Sequence, residues 1–181
     1  DTRRLFDGGH GPKTFVVFVV CLAVMAGAVV LASLIQTDFG RAAVSNVAYR
    51  NFNGIPIRAK LLVPVTASPD HRVPGVVYIH GYQNNRETGD AYCIELAKRG
   101  VAVLNIDAIG RGNSGIPNDP KDPDFDETYG GRTSLKYLME LPFVSADSVG
   151  MMGHSLGAEM AYAVALTDPA VKALVITGFA Y

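Results

Sequence analysis

Hydrophobic and polar residues are distributed unevenly along this chain of 181 residues. Residues 14–35 form one continuous apolar run, and all 16 Lys and Arg and all 17 Asp and Glu residues lie outside it. Because a helix rises about 1.5 Å per residue, this run would span roughly 33 Å, close to the thickness of the hydrocarbon core of a bilayer. It also lacks the polar stripe of an amphipathic surface helix. The pattern therefore predicts a transmembrane helix at residues 14–35.

Three interpretations of this segment are open: a retained signal-anchor, a cleaved secretory signal and a buried core helix. The apolar part of a signal peptide usually has ~7–15 residues, which is shorter than this run. A signal-anchor is therefore favoured, with residues 1–13 as its N-terminal flank and residues 36–43 as a linker. The flank before the run carries three Lys or Arg residues, against two at a comparable distance behind it. This difference favours a single-pass topology with the following domain outside the cytoplasm.

From residue 44 onward, short apolar runs alternate with segments of helical periodicity. Asn53-Gly54 separates the first two runs and is a strong signal for a β-hairpin turn. The predicted strands lie at 44–50, 55–63, 75–79, 101–106, 147–152 and 171–177. The predicted helices lie at 87–99, 129–141 and 155–167. This alternation with short connections predicts an α/β domain at 44–181, with a mostly parallel sheet and helices on both faces.

The composition of the chain excludes several kinds of function. The formal net charge is −1 and no long run of Lys or Arg is present, so the basic groove of a nucleic-acid-binding protein is not expected. Cys21 and Cys93 are too few for a disulfide framework and lack the paired spacing of a zinc site. No metal and no cofactor is predicted.

The sharpest motif is Gly153-His154-Ser155-Leu156-Gly157, a G-x-S-x-G pentapeptide between a predicted strand and a predicted helix. In such a strand–turn–helix the serine occupies a tight turn, and its hydroxyl projects above the sheet as a nucleophile. Small neighbours are needed because larger side chains would collide with the backbone of the turn. Ser155 is therefore the predicted catalytic residue, with Gly153 and Gly157 in support. The alternative is an ordinary glycine-flanked turn between a strand and a helix.

A second motif, His80-Gly81-Tyr82, directly follows the predicted strand 75–79. An acyl-transfer site needs preorganised N–H donors for the oxyanion of its tetrahedral intermediate. The predicted donors are the backbone N–H groups of Leu156, which follows the nucleophile, and of Tyr82. Gly81 lets the backbone approach the substrate. His80 is predicted to hold the loop by hydrogen bonds rather than to act as a base.

Three motifs in this order resemble the α/β-hydrolase family, in its group of serine esterases, peptidases and dienelactone-hydrolase-like enzymes. They are H-G-Y at 80–82, D-A-I-G-R-G-N-S at 107–114 and G-H-S-L-G at 153–157. The middle motif resembles the family's D-x-R-G-x-G-x-S loop but has Ile109 where arginine is usual. The resemblance covers residues 44–181. It implies hydrolysis of an ester, amide or thioester in a small-molecule or peptide substrate, through an acyl-serine intermediate and without a cofactor.

Two further patterns suggest ligand sites that their context does not support. Residues 110–115 match G-x-G-x-x-G, but the prolines that follow leave no helix to hold the pyrophosphate of a dinucleotide. Asp122, Asp124 and Asp126 alternate as in a calcium loop, but Pro123 intervenes and the turn glycine and distal Glu are missing. These carboxylates are predicted to form a solvated acidic loop.

The serine motif lacks the partners that its chemistry needs. A serine hydroxyl requires a histidine as base and a carboxylate to orient that histidine, and in this fold both follow the serine. After Ser155 the acids are Glu159 and Asp168, and there is no histidine. Two explanations are open: a non-catalytic relative that binds partners at a membrane, or a fragment whose acid and histidine lie beyond Tyr181.

The fragment interpretation is favoured, so the hydrolase domain is expected to be incomplete at its C-terminus. The 181 residues alone are then expected to be inactive, and the full-length protein to be a serine hydrolase. Acyl transfer to an acceptor other than water would use the same site.

Overall fold

The computed structural model describes residues 12–37 and 39–179, and the chain divides into two compact units, Asp1–Phe39 and Gly40–Tyr181. Outside the described residues lie residues 1–11 of the predicted N-terminal flank, residue 38 of the predicted linker and residues 180–181.

The first unit contains a long helix, α1 (Pro12–Gln36), and the predicted apolar run lies inside it. The 24 residues from Lys13 to Gln36 are long enough to cross a bilayer and reach a mean hydropathy of 3.0. Large apolar side chains along the helix are exposed, among them Phe15 at 67% and Val29 at 69%. The length and composition of α1 fit a membrane span or a signal sequence.

Within the described residues, the second unit consists of one six-stranded sheet, three α-helices and a 3₁₀ turn. Its strands are β1 (Ala42–Arg50), β2 (Pro56–Pro64), β3 (Val73–Ile79), β4 (Ala102–Ile106), β5 (Val144–His154) and β6 (Val171–Thr177). Its helices are α2 (Asp90–Lys98), α3 (Gly131–Met139) and α4 (Leu156–Thr167), and the 3₁₀ turn Arg86–Gly89 precedes α2.

The strands lie in the order β1-β2-β4-β3-β5-β6. β1 and β2 form the predicted hairpin, and β2 also pairs antiparallel with β4. β4, β3, β5 and β6 run parallel to one another. The predicted α/β fold with a mostly parallel sheet is confirmed. Because the carboxyl ends of parallel strands meet at one edge, the motifs at 80–82, 107–114 and 153–157 come together there.

Helices cover both faces of the sheet. Successive side chains of a strand point to opposite faces, and on β3 this separates Val77 and Ile79 from Tyr78. Val77 and Ile79 pack in the larger core together with Leu135 of α3. Tyr78 packs in the smaller core together with Cys93 of α2.

Two predicted helices have different boundaries in the structure. The helix predicted at 87–99 is divided, because the side chain of Asn85 accepts a hydrogen bond from the N–H of Glu87 and starts the 3₁₀ turn. The helix predicted at 129–141 begins only at Gly131. Tyr129 and Gly130, with φ angles of 47° and 97°, lie outside the right-handed helical region.

Three predicted strands begin earlier than expected. β1 starts at Ala42, inside the predicted linker, where it pairs with Pro64 at the end of β2. β3 starts at Val73 rather than residue 75 and β5 at Val144 rather than residue 147, because these two first residues pair with each other. In each strand the partner across the sheet extends the strand beyond its apolar run.

Candidate active site

Ser155 lies in the turn between β5 and α4 and has a strained backbone. Its φ of 53° and ψ of −122° are angles that a non-glycine residue adopts only where the surrounding structure imposes them. Its N–H donates to the carbonyl of Thr177 in β6 at 2.8 Å, and its carbonyl accepts from the N–H of Ala158 at 2.8 Å. A strained serine between a parallel strand and a helix has the geometry of a nucleophile elbow.

Gly153 and Gly157 allow α4 to approach the sheet closely. A Cβ on Gly153 would overlap the backbone of Gly157. A Cβ on Gly157 would overlap the carbonyl oxygens of Ile79 and His80 at the end of β3. Glycine at these two positions therefore allows this close packing of the turn, and any side chain there would force α4 away from the sheet.

The loop after β3 lies against the serine turn. A Cβ on Gly81 would be 3.3 Å from the Cβ of Ser155, so the two backbones are close. Tyr82 and Leu156 both line a cavity of about 100 Å³ at this place. Neither of their N–H groups donates a hydrogen bond within the part of the chain that the structure describes. The cavity is thus lined by two residues with unpaired backbone N–H groups, one of them directly after Ser155, and an oxyanion requires donors of this kind.

His80 is buried, at 2% exposure, and both of its ring nitrogens have partners. The N–H of Ala108 donates to Nε2 at 3.2 Å, so the neutral ring carries its proton on Nδ1, which lies 2.8 Å from the carbonyl of Gly81. Burial lowers the pKa of His80 and keeps the ring neutral. These bonds connect the loop after β3 to the loop after β4.

No histidine among the described residues forms a hydrogen bond with Ser155. Both ring nitrogens of His80 are hydrogen-bonded to the backbone, one to Gly81 and the other to Ala108. Nδ1 of His154 lies 3.0 Å from Oγ1 of Thr177, so this ring is turned toward β6. His71 is exposed in the segment before β3. The described part of the chain therefore supplies no base for Ser155.

The two acidic residues that follow Ser155 in the sequence do not form a catalytic arrangement with it. Glu159 is exposed in the first turn of α4. Asp168 ends α4, and its carboxylate accepts a hydrogen bond from the N–H of Ala170 at 3.0 Å. Neither carboxylate has a histidine to orient.

Asp107, the first residue of the motif at 107–114, is buried and has contacts that the motif did not predict. Its carboxylate, in a residue only 1% exposed, accepts the N–H of Arg86 at 2.8 Å and the N–H of Asn113 at 2.9 Å. The Arg86 guanidinium lies 3.4 Å away. Asp107 thus holds the segment before α2 against the loop after β4. The sequence signal for these contacts was an aspartate directly after an apolar strand. A carboxylate buried at such a position must have hydrogen-bonding partners.

The loop after β4 also brings Ile109 and Arg111 to the cavity. Ile109, at the position where the family usually has arginine, is 1% exposed and packs in the larger core. The Arg111 guanidinium lies over the ring of Tyr82, at 4.8 Å from its centroid. The family's arginine position is therefore apolar here, and Arg111, two residues further on, supplies the charged side chain at the cavity.

The prediction of a solvated acidic loop is wrong for Asp126. This residue is 7% exposed, and its carboxylate accepts the hydroxyl of Thr128 at 2.7 Å and the N–H of Gly130 at 3.0 Å. It holds the start of α3, whereas Asp122 and Asp124 are exposed as predicted. Within the described residues, no three His, Cys, Asp or Glu side chains are grouped to hold a metal ion.

The parallel sheet and the serine turn at the end of β5 define an α/β-hydrolase, and solved structures share this fold. A hypothetical protein from Pseudomonas aeruginosa matches with a TM-score of 0.67 and 26% identity, over 77% of this chain and 44% of that one. Acetyl xylan esterase 1 from Thermoanaerobacterium sp. matches with a TM-score of 0.62 and 23% identity, over 74% of this chain and 47% of the esterase.

Residues 53–178 match the X-Pro dipeptidyl-peptidase (S15) family, and the chain belongs to this family. A serine hydrolase-like protein of Dictyostelium discoideum is 30% identical over 116 residues, which are 64% of this chain and 30% of that protein. The chain thus spans less than half the length of each of these relatives.

Proposed function

We propose that this chain is part of a serine hydrolase in which Ser155 attacks an ester, amide or thioester carbonyl. The observation that carries the proposal is the strained turn at Ser155, with φ of 53°, beside the cavity lined by Tyr82 and Leu156. An energetically unfavourable backbone conformation persists where the surrounding structure imposes it, often at a functional site. Membership of a peptidase family supports the same class of reaction.

In the first step, the Oγ of Ser155 forms a bond to the carbonyl carbon while its proton passes to a base. The carbonyl π electrons move to the oxygen, which accepts hydrogen bonds from the N–H groups of Tyr82 and Leu156. Collapse of this intermediate breaks the bond to the leaving group, which takes up the proton, and an acyl-serine remains. Water attacks the acyl-serine in the same way, releasing a carboxylic acid and restoring the Ser155 hydroxyl.

The proposal requires a histidine and a carboxylate in addition to the described residues. The chain covers 44% of the Pseudomonas structure and 47% of the esterase, so each relative has a large part with no counterpart here. We place both catalytic groups outside these 181 residues, and we expect the 181 residues alone to show no turnover.

A fluorophosphonate probe tests the nucleophile directly in the full-length protein. We expect the probe to label Ser155, and Ser155→Ala to abolish the labelling while the protein stays folded. Ser148→Ala is the matched control, because Ser148 is an exposed serine earlier on the same strand. A folded full-length protein that leaves Ser155 unlabelled would contradict the proposal and favour a binding protein on a hydrolase fold.

The bond that is cleaved can be determined with two substrates. The S15 family is named for X-Pro dipeptides, whereas the Thermoanaerobacterium relative is named for an acetyl ester. Hydrolysis of an X-Pro p-nitroanilide would assign a peptidase, and hydrolysis of p-nitrophenyl acetate alone would assign an esterase. The small cavity favours the ester.

We further propose that α1 anchors the protein in a membrane as a single-pass signal-anchor. Its support is the length of 24 residues and the mean hydropathy of 3.0. The three Lys or Arg residues before the apolar run, against two behind it, favour a hydrolase domain outside the cytoplasm.

A further inference from the structure

The cavity beside Tyr82 and Leu156 is small and mostly apolar. Its volume of about 100 Å³ is well below the ~300–1,000 Å³ of pockets that hold drug-sized ligands. Ala108, Ile109 and Met160 contribute to its walls. A cavity of this size and lining accommodates a short aliphatic chain.

Arg111 lines the same cavity and is held in place there. Its guanidinium lies over the ring of Tyr82 at 4.8 Å from the centroid, a favourable cation–π arrangement. Its Nη1 also donates to the carbonyl of Gly110 at 2.9 Å. These two contacts leave other N–H groups of the guanidinium fork available to a ligand.

Arg111 has no anionic partner among the described residues, because none of their carboxylates lies within ion-pair distance of it. The nearby carboxylate of Asp107 is instead bonded by Arg86 and by the N–H of Asn113. His80 is neutral and hydrogen-bonded at both nitrogens. The cavity therefore carries an uncompensated positive charge, and a guanidinium fork matches the two oxygens of a carboxylate.

We infer that this site prefers a substrate with a short acyl chain ending in a carboxylate, which Arg111 binds. This inference rests on the proposed function, because the acyl chain must be attached to Ser155 during the reaction. The chain fills the apolar cavity, and the carboxylate reaches the guanidinium at its wall. A neutral chain of the same size leaves that guanidinium unpaired and is therefore used less well.

Two p-nitrophenyl esters of similar shape test this preference in the full-length protein. The hemisuccinate ends in a carboxylate, and the 4-methylpentanoate ends in a neutral branch of similar size. After subtraction of the spontaneous rates, we expect kcat/KM for the hemisuccinate to exceed that for the neutral ester. We expect Arg111→Gln to reduce the ratio of the two values about 10- to 100-fold, as the loss of a hydrogen bond to a charged group would.

Further variants separate recognition of charge from a structural effect. Arg111→Lys should retain part of the preference, and Arg111→Glu should reverse it. Arg132→Gln is the matched control and should leave the ratio unchanged, because Arg132 is exposed on α3, where its side chain donates to Thr167.

A wild-type ratio of one or below would overturn the inference, as would a ratio that stays the same in Arg111→Gln and Arg111→Glu. Labelling of Ser155 and turnover of the neutral ester are read separately. If both are seen without an effect of Arg111 on the ratio, the inference fails and the proposed function stands. If Ser155 is not labelled, both fail.

Discussion

Gly157 occupies a position where even a methyl group has no space. A Cβ there would overlap the carbonyl oxygens of Ile79 and His80, so Gly157→Ala must push α4 away from β3. We expect a loss of about 1–3 kcal/mol in the free energy of unfolding, together with weaker labelling of Ser155. Urea unfolding and probe labelling of the full-length protein measure the two effects. Glu159→Ala, an exposed change on the same helix, should alter neither.

His80 should make stability depend on pH in a defined range. Burial lowers its pKa in the folded protein, so the unfolded chain binds the proton more readily below its own pKa of ~6.5. Above that pH, His80 therefore does not reduce the free energy of unfolding. Below it, the free energy of unfolding falls as the pH drops, by at most about 1.4 kcal/mol per pH unit.

Urea unfolding at several pH values between 7.5 and 5 checks this effect of His80. His80→Asn should be less stable at pH 7.5 but should show a shallower decline toward pH 5. The explanation is wrong if the two proteins decline equally toward pH 5.

At the scale of single elements, α3 depends on a residue outside it. Asp126 accepts hydrogen bonds from Thr128 and from the N–H of Gly130, just before the helix begins. We expect Asp126→Ala to destabilise the protein by about 1–3 kcal/mol, since buried donors lose their acceptor. Asp124→Ala, in the exposed part of the same loop, should have almost no effect. Comparable losses in the two variants, measured by urea unfolding, would contradict this role.

The elements with strong local signals could be predicted from the sequence. The strand at 171–177 has the predicted boundaries, and Asn53-Gly54 lies at the turn of the β1–β2 hairpin. The 3₁₀ turn was missed because it depends on one side-chain bond from Asn85 rather than on periodicity. The burial of Asp126 was beyond local patterns because its carboxylate also accepts a hydrogen bond from the side chain of Asn51, which only the fold brings near.

At the scale of the whole molecule, the order of the strands was beyond the reach of local patterns. β4 lies between β2 and β3, although it follows both in sequence. Asp107 therefore meets Arg86 across two loops that only the folded sheet brings together. The candidate nucleophile could be proposed from the sequence because its motif is local. The contacts of Asp107 could not be predicted, because pairing between distant segments has no short-range signature.

The proposed membrane anchor leads to a prediction for the intact protein in cells. We expect the protein to remain in the membrane fraction after alkaline carbonate extraction. Val24→Arg combined with Met25→Arg should release it, because both residues lie at the centre of α1 and a charge at the centre of a membrane helix costs about 2.5–3.5 kcal/mol. If the N-terminus of the mature protein follows α1 in the sequence, α1 is a cleaved signal instead. N-terminal sequencing distinguishes a retained anchor from a cleaved signal.

Thr177 connects β6 directly to the candidate nucleophile, Ser155. Its carbonyl accepts the N–H of Ser155 at 2.8 Å, and its hydroxyl lies 3.0 Å from Nδ1 of His154. Within the described sheet, β6 pairs with β5. A small displacement of β6 would pass through these two bonds into the torsion angles of Ser155. The orientation of the candidate nucleophile therefore depends on how firmly β6 is held.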